Sequence, residues 1–185
     1  MRSLCRQFLG DRLGSVAIEF ALVLPLYVLI LSGGFELTMY ALLHNKLQRV
    51  AGVMADTVSR QNVLRDTVHG LLSQSGQFMT PFGFANGKIT ISQIRNEDET
   101  DDASNMLISW QESFQGAATQ LGSAGTVPAA LPNNFEVLNE KTIIVSEISY
   151  SYTSFVFSSL IGDRTLYNIY ITTPRGGKMN TLLGE

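Results

Sequence analysis

Cysteine is almost absent from this chain of 185 residues, and the one example, Cys5, excludes an internal disulfide framework. Histidine is nearly as scarce: His44 and His69 are the only two, so no Cys/His cluster exists for a structural metal. Charged residues make up 16% of the chain and the formal net charge is −3. No basic stripe interleaved with aromatics is present, which excludes a nucleic-acid footprint. No H-E-x-x-H, Walker loop or G-x-S-x-G occurs, and general acid–base work by the two histidines would need a cleft that nothing in the pattern suggests. Pro174-Arg175-Gly176-Gly177-Lys178 resembles a phosphate loop only superficially, because the spacing and the strand–loop–helix context are missing. These absences point away from an enzyme and from a cofactor.

What is present is one long apolar run. Phe20 to Phe35 are 16 consecutive uncharged residues, and only Glu36 interrupts the apolar character before Leu43. A helix there spans roughly 24 Å for the uncharged part and about 36 Å to Leu43, at 1.5 Å per residue. A bilayer core needs about 20 residues, so one crossing with slight tilt is comfortable. Pro25 loosens the helix one turn and a half beyond Glu19, and Gly33-Gly34 permits close helix–helix approach. Arg2, Arg6 and Arg12 precede the run and oppose only Asp11, so losing residues 1–14 removes a net +2 and leaves about −5. Lys46 and Arg49 follow closely, and the positive-inside count therefore favours a cytoplasmic N-terminus only slightly.

The segment Gly14-Ser15-Val16-Ala17-Ile18-Glu19-Phe20 opens this run, and its carboxylate decides between three readings. As a secretory signal peptide, the run offers small residues at Ser32-Gly33-Gly34, but Glu19 would fall inside the apolar region and helical character continues past the cut. As a plain signal anchor, Glu19 is merely tolerated near the headgroups. As a leader cut after Gly14, Glu19 becomes the fifth residue of the product. An ionisable group at membrane depth costs several kcal/mol and is a functional hypothesis by default. A lipoprotein anchor would place cysteine after the apolar run, whereas Cys5 precedes it.

Gly14 to Leu26 resembles the N-terminal signature of TadE-like proteins, pseudopilins of the tight-adherence (Flp) type IV pilus system. The signature is a glycine, four small or apolar residues, a glutamate and an aromatic, then an apolar helix containing a proline. Gly14, Glu19, Phe20 and Pro25 occupy those positions. Glu147-Ile148-Ser149-Tyr150-Ser151-Tyr152 looks like the family's acidic-x-Ser-Tyr-x-Tyr strand, followed by a hydrophobic segment from Phe155 and a final strand. The middle, about residues 79–140, carries no matching motif. The resemblance implies cleavage between Gly14 and Ser15 by an aspartyl prepilin peptidase in the membrane. It also implies a bond from Glu19 to the new Ser15 amine, or to that of a neighbouring subunit. The implied partners are that peptidase, the major pilin and other minor pilins, the inner-membrane assembly machinery and membrane lipid, with no nucleic acid. The implied place is the bacterial inner membrane, single-pass, with the C-terminal part in the periplasm or carried into the pilus. The alternative, from another class, is an uncleaved membrane-anchored periplasmic binding module.

Beyond the span, Leu47, Val50, Ala51, Met54, Val58, Leu64, Val68, Leu71 and Leu72 recur at spacings of three and four, with a gap near Gln61. One rod to about Leu72 is predicted, its stripe facing a sheet, with His44, Lys46 and Arg49 as an interfacial collar. The period then changes. Residues 88–94, 106–114, 141–152 and 165–173 read as strands, and 115–134, rich in Gly, Ala, Ser and Pro, as a loop or short irregular helix. The fold class is therefore α+β: a transmembrane helix extended into a long amphipathic helix that packs on a four-stranded, mainly antiparallel sheet, the pilin-like plan. The chain divides into a leader (1–14), a transmembrane helix (15–43), its extramembrane continuation (44–76) and a periplasmic sheet domain (77–185). Asp98, Asp101 and Asp102, with Glu97 and Glu99, are weak candidates for Ca²⁺. No glycine stands among them for an EF-hand turn, so a solvated hairpin connection is the simpler reading and no metal is expected.

Overall fold

A computed structural model of the chain describes residues 12–60, 65–96, 106–129, 131–132, 135, 137, 141–156 and 162–174. The order of elements is α1 (Arg12–Ser59), α2 (Arg65–Gln74), a 3-10 turn (Ser75–Met79), β1 (Gly87–Asn96), β2 (Met106–Phe114), β3 (Thr142–Tyr152) and β4 (Arg164–Thr172). The architecture is α+β, with the long helix packed on a four-stranded antiparallel sheet. α1 ends at Ser59 and α2 starts at Arg65, and residues 61–64, through which the sequence predicts one continuous rod, lie outside the described residues. The candidate Ca²⁺ residues Asp98, Asp101 and Asp102 lie outside the described residues.

The described chain falls into two compact units, one holding α1 up to Ala41 with Ser154–Gly162, the other Leu42–Thr153 with the chain from Asp163. In the first unit α1 is long and apolar enough to cross a membrane, and none of its most apolar window is buried. Polar side chains in this stretch are satisfied by the helix itself. Ser32 Oγ donates to the Val28 carbonyl at 2.7 Å and Thr38 Oγ1 to that of Gly34 at 2.8 Å, the arrangement that lets a hydroxyl enter lipid without an orphan donor. Pro25 cannot donate to the carbonyl of Ala21, so one rung of the helix ladder is missing there.

In the second unit the same helix changes character. Leu43, Leu47, Val50, Ala51, Met54, Ala55 and Val58 are all buried, at the three-and-four spacing the sequence displays. Full burial of a large aliphatic side chain contributes roughly 1.5–3 kcal/mol each, so this stripe is a main source of the unit's stability.

The sheet runs β2-β1-β3-β4, all neighbours antiparallel. Cross-strand partners share a face, so the register sorts the residues. Ile91, Ser146 and Tyr170 lie in one row, and the Tyr170 ring comes within 3.4 Å of where a Gly52 Cβ would stand; this face meets α1. The opposite face is covered as well. Ile94, Ile108, Ile143 and Val145 form a cluster there with Leu121, Leu131 and Val137, joined at its edge by Ile169 and Ile171. The long connection between β2 and β3 is thus a second layer. That explains why β1 and β3 are buried along almost their whole length rather than at alternate residues.

Local devices hold this arrangement. A bulge between Gln93 and Ile94 sets Trp110 opposite the former and Ile108 opposite the latter, leaving Ser109 without a partner. The turn at 123–126 folds back on β2: Gly125 N donates to the Ile108 carbonyl at 2.7 Å and Ile108 N to that of Thr126 at 3.0 Å. Gly125, with φ +83°, supplies the left-handed residue this turn requires. At the start of β1, Gly87 is needed for space, because a Cβ there would lie 2.5 Å from the Phe84 ring. Phe84 in turn stacks on Phe114, whose edge His69 of α2 also meets.

Candidate functional site

The expected cleavage and registry residues, with the motif residues Phe20 and Pro25, lie on the exposed first half of α1. Gly14 and Ser15 stand within the first turn, which begins at Arg12, and nothing approaches within 4 Å of where a Gly14 Cβ would stand. Glu19 is exposed, and Ser15 Oγ donates to its Oε1 at 3.4 Å across one turn of helix. Among the described residues, Ser15 alone supplies a hydrogen bond to this carboxylate. Phe20 is 63% exposed, and Pro25 is exposed in the helix body. The structure brings Ser15 and Glu19 together, and it leaves Phe20 and Pro25 as exposed surface rather than members of a cluster.

A second carboxylate on the same helix is the opposite case. Glu36 is the only buried residue from Gly14 to Leu42, at 2% exposure. Its two oxygens accept backbone hydrogen bonds from the connection between β3 and β4: Phe155 N at 3.1 Å to Oε2 and Val156 N at 3.2 Å to the same oxygen, with Oε1 3.3 Å from Phe155 N. Hydrogen bonds to a charged acceptor are about twice as strong as neutral ones. Sequence reading treats Glu36 as an interruption in an apolar run. The signal available was its position alone, a second carboxylate about 26 Å along the helix from Glu19.

A third carboxylate, Glu147, anchors the layer on the far face of the sheet. It is 2% exposed on β3 and accepts from Thr119 Oγ1, from Gln120 N at 2.9 Å and from the Tyr167 hydroxyl on β4. Burial, with the Glu147 bond second, pushes the Tyr167 hydroxyl well above the ordinary tyrosine range. Tyr150, also in the Glu147–Tyr152 motif, donates to the Phe82 carbonyl at 3.1 Å, and burial raises its pKa too. The motif's polar residues thus tie the central strand to two flanking loops. Of the collar residues, His44 pairs with Gln48 at 3.3 Å, while Lys46 and Arg49 line an open groove of about 410 Å³ beside Val50, Val53 and Phe78.

Chemically, this is an exposed apolar helix with one carboxylate near its start and one sealed by amides near the end of the apolar run. Among the described residues no group of three or more His, Cys, Asp or Glu side chains is placed to hold a metal. No curated protein and no solved structure matches the chain. Residues 14–55 match the family model described as TadE-like protein, a segment that starts at Gly14, includes Glu19 and Glu36, and reaches the buried stripe at Ala55.

Proposed function

We propose that the chain is a minor pilin or pseudopilin that takes part in assembling a tight-adherence (Flp) type IV pilus, after a prepilin peptidase removes residues 1–14. The observation that carries this reading is the TadE-like match beginning at Gly14, on a helix whose apolar surface is uncovered and whose Glu19 is met, among the described residues, by Ser15. Cleavage creates an ammonium on Ser15. In lipid or a filament core that ammonium and the Glu19 carboxylate are each expensive alone, and pairing offsets much of the penalty. The bond runs within the subunit or to a neighbour, where it sets axial register and supplies specificity more than raw affinity. The subunit sits in the inner membrane with its sheet domain in the periplasm, and its partners are the peptidase, the pilins and the assembly machinery.

N-terminal sequencing of protein extracted from membranes of cells that carry the peptidase tests the reading. A start at Ser15 supports it. A start at Met1 favours the membrane-tethered binding module instead.

A further inference from the structure

We infer that Phe155 and Val156, just beyond β3, make a second membrane contact, an interfacial anchor whose depth is fixed by Glu36. This rests on the helix crossing a bilayer, and it is independent of cleavage after Gly14 and of any role in a pilus.

Counted from Val16, the minimum crossing of about 20 residues is complete at Phe35, well before the Leu43 limit expected from the sequence, and places Glu36 at the outer boundary of the hydrocarbon. The amides of Phe155 and Val156 lie within 3.3 Å of its oxygens, so these two residues share its level. Their side chains are not turned into the protein: Phe155 is 67% and Val156 47% exposed. On the helix, Phe35 and Leu37 flank Glu36 and are 54% and 69% exposed. Four exposed apolar side chains therefore belong to the chain neighbours and the amide donors of one sealed carboxylate, at the height where lipid gives way to headgroups. Exposed together in water they would form an unfavourable apolar patch, whereas at this height acyl chains cover them.

For Phe155 and Val156, the carboxylate answers the objection that irregular backbone does not enter a membrane. A loop can approach hydrocarbon only where its N–H groups are satisfied from within the protein. Glu36 satisfies two of them, and the same two amides replace the water that the carboxylate gives up. Each group removes the other's desolvation penalty, which is the economy expected at a lipid boundary and unnecessary in water.

The test uses the full chain in lipid vesicles with Cys5 replaced by serine. An environment-sensitive dye is placed at Phe155→Cys or, as a depth marker, at Leu24→Cys. Vesicles carry nitroxides either near the headgroup or at the bilayer centre, and iodide serves as the aqueous quencher. The Leu24 dye should be quenched from the bilayer centre. The Phe155 dye should be quenched by the shallow nitroxide more than by the deep one, and Glu36→Ala should abolish that preference and open the site to iodide. Iodide quenching at Phe155 without lipid quenching overturns the anchor, as does protection from both quenchers, which would mean that protein covers the loop. Failure at Leu24 overturns the anchor together with the crossing on which it rests. Deep quenching at Leu24 without shallow quenching at Phe155 overturns the anchor alone.

Discussion

The two carboxylates of α1 invite comparison, because one helix treats the same chemical group in opposite ways. Glu36 has its hydrogen bonds supplied from inside the chain, by Phe155 N and Val156 N, and it is sealed from solvent. Glu19 is exposed, and among the described residues its hydrogen bond is the 3.4 Å one from the serine one turn below. The difference teaches where to look for a partner. A carboxylate already satisfied by backbone amides is part of the chain's own architecture. One left with a lone weak contact in an apolar helix is suited to a group that arrives later, by cleavage or from another molecule.

The largest expected effect tests the Glu19 side. Gly14→Leu should leave full-length precursor in membranes of peptidase-carrying cells, and an unchanged shift to the shorter product on a gel would break the processing reading. Next comes the contrast between the two halves of α1. Leu47→Ala should destabilise the sheet unit by about 2–5 kcal/mol through loss of a fully buried side chain. Leu24→Ala, on the exposed half, should leave that unit's unfolding unchanged. Trp110, the only tryptophan and buried on β2, reports both in a thermal melt of the solubilised protein.

Glu147→Gln comes third. It weakens three hydrogen bonds to a buried acceptor, and the Tyr167 hydroxyl should then ionise at lower pH while staying above the ordinary tyrosine range, since burial is the larger cause. The sign is fixed by linkage. A pKa raised in the folded state contributes stability that is intact below about pH 10, the unfolded tyrosine value, and is lost as pH rises beyond it. The wild type should therefore lose stability on alkaline titration above that point, and tyrosinate absorbance follows the group directly.

The smallest effects form a matched pair. Glu36→Ala orphans two backbone donors and should cost about 1–3 kcal/mol, detected as faster hydrogen exchange at Phe155 and Val156. Glu19→Gln should stay within about 0.5 kcal/mol and leave cleavage intact while weakening co-assembly with other pilins. Normal recruitment of Glu19→Gln would remove the registry role. Equal structural effects of the two substitutions would dissolve the comparison itself.

Most of the fold was legible because periodicity reports burial. The spacing from Leu47 to Val58 marks the face of α1 that lies on the sheet, and the four apolar alternating runs became β1 to β4 within a residue or two at most ends. The second layer was not legible. Leu121, Leu131 and Val137 are scattered through a Gly-, Ala-, Ser- and Pro-rich stretch with no period, and only tertiary packing makes them core. Glu36 was opaque for a different reason. Its partners are backbone amides more than a hundred residues away, and an amide leaves no mark in a sequence. Gly14, Ser15 and Glu19 were visible because side-chain type at fixed spacing is itself their signal. Glu147 stood out as part of a motif, while its bonds to Thr119 and Gln120 did not.

The turn that lies along β2 has a consequence for crowding. With the Ile108 N–H and carbonyl occupied by Thr126 and Gly125, an incoming strand finds no ladder to extend at that point. Edge-to-edge pairing between copies is a route to irreversible clumping. A chain that closes part of its own edge can be kept at high local concentration and still remain separate from its neighbours.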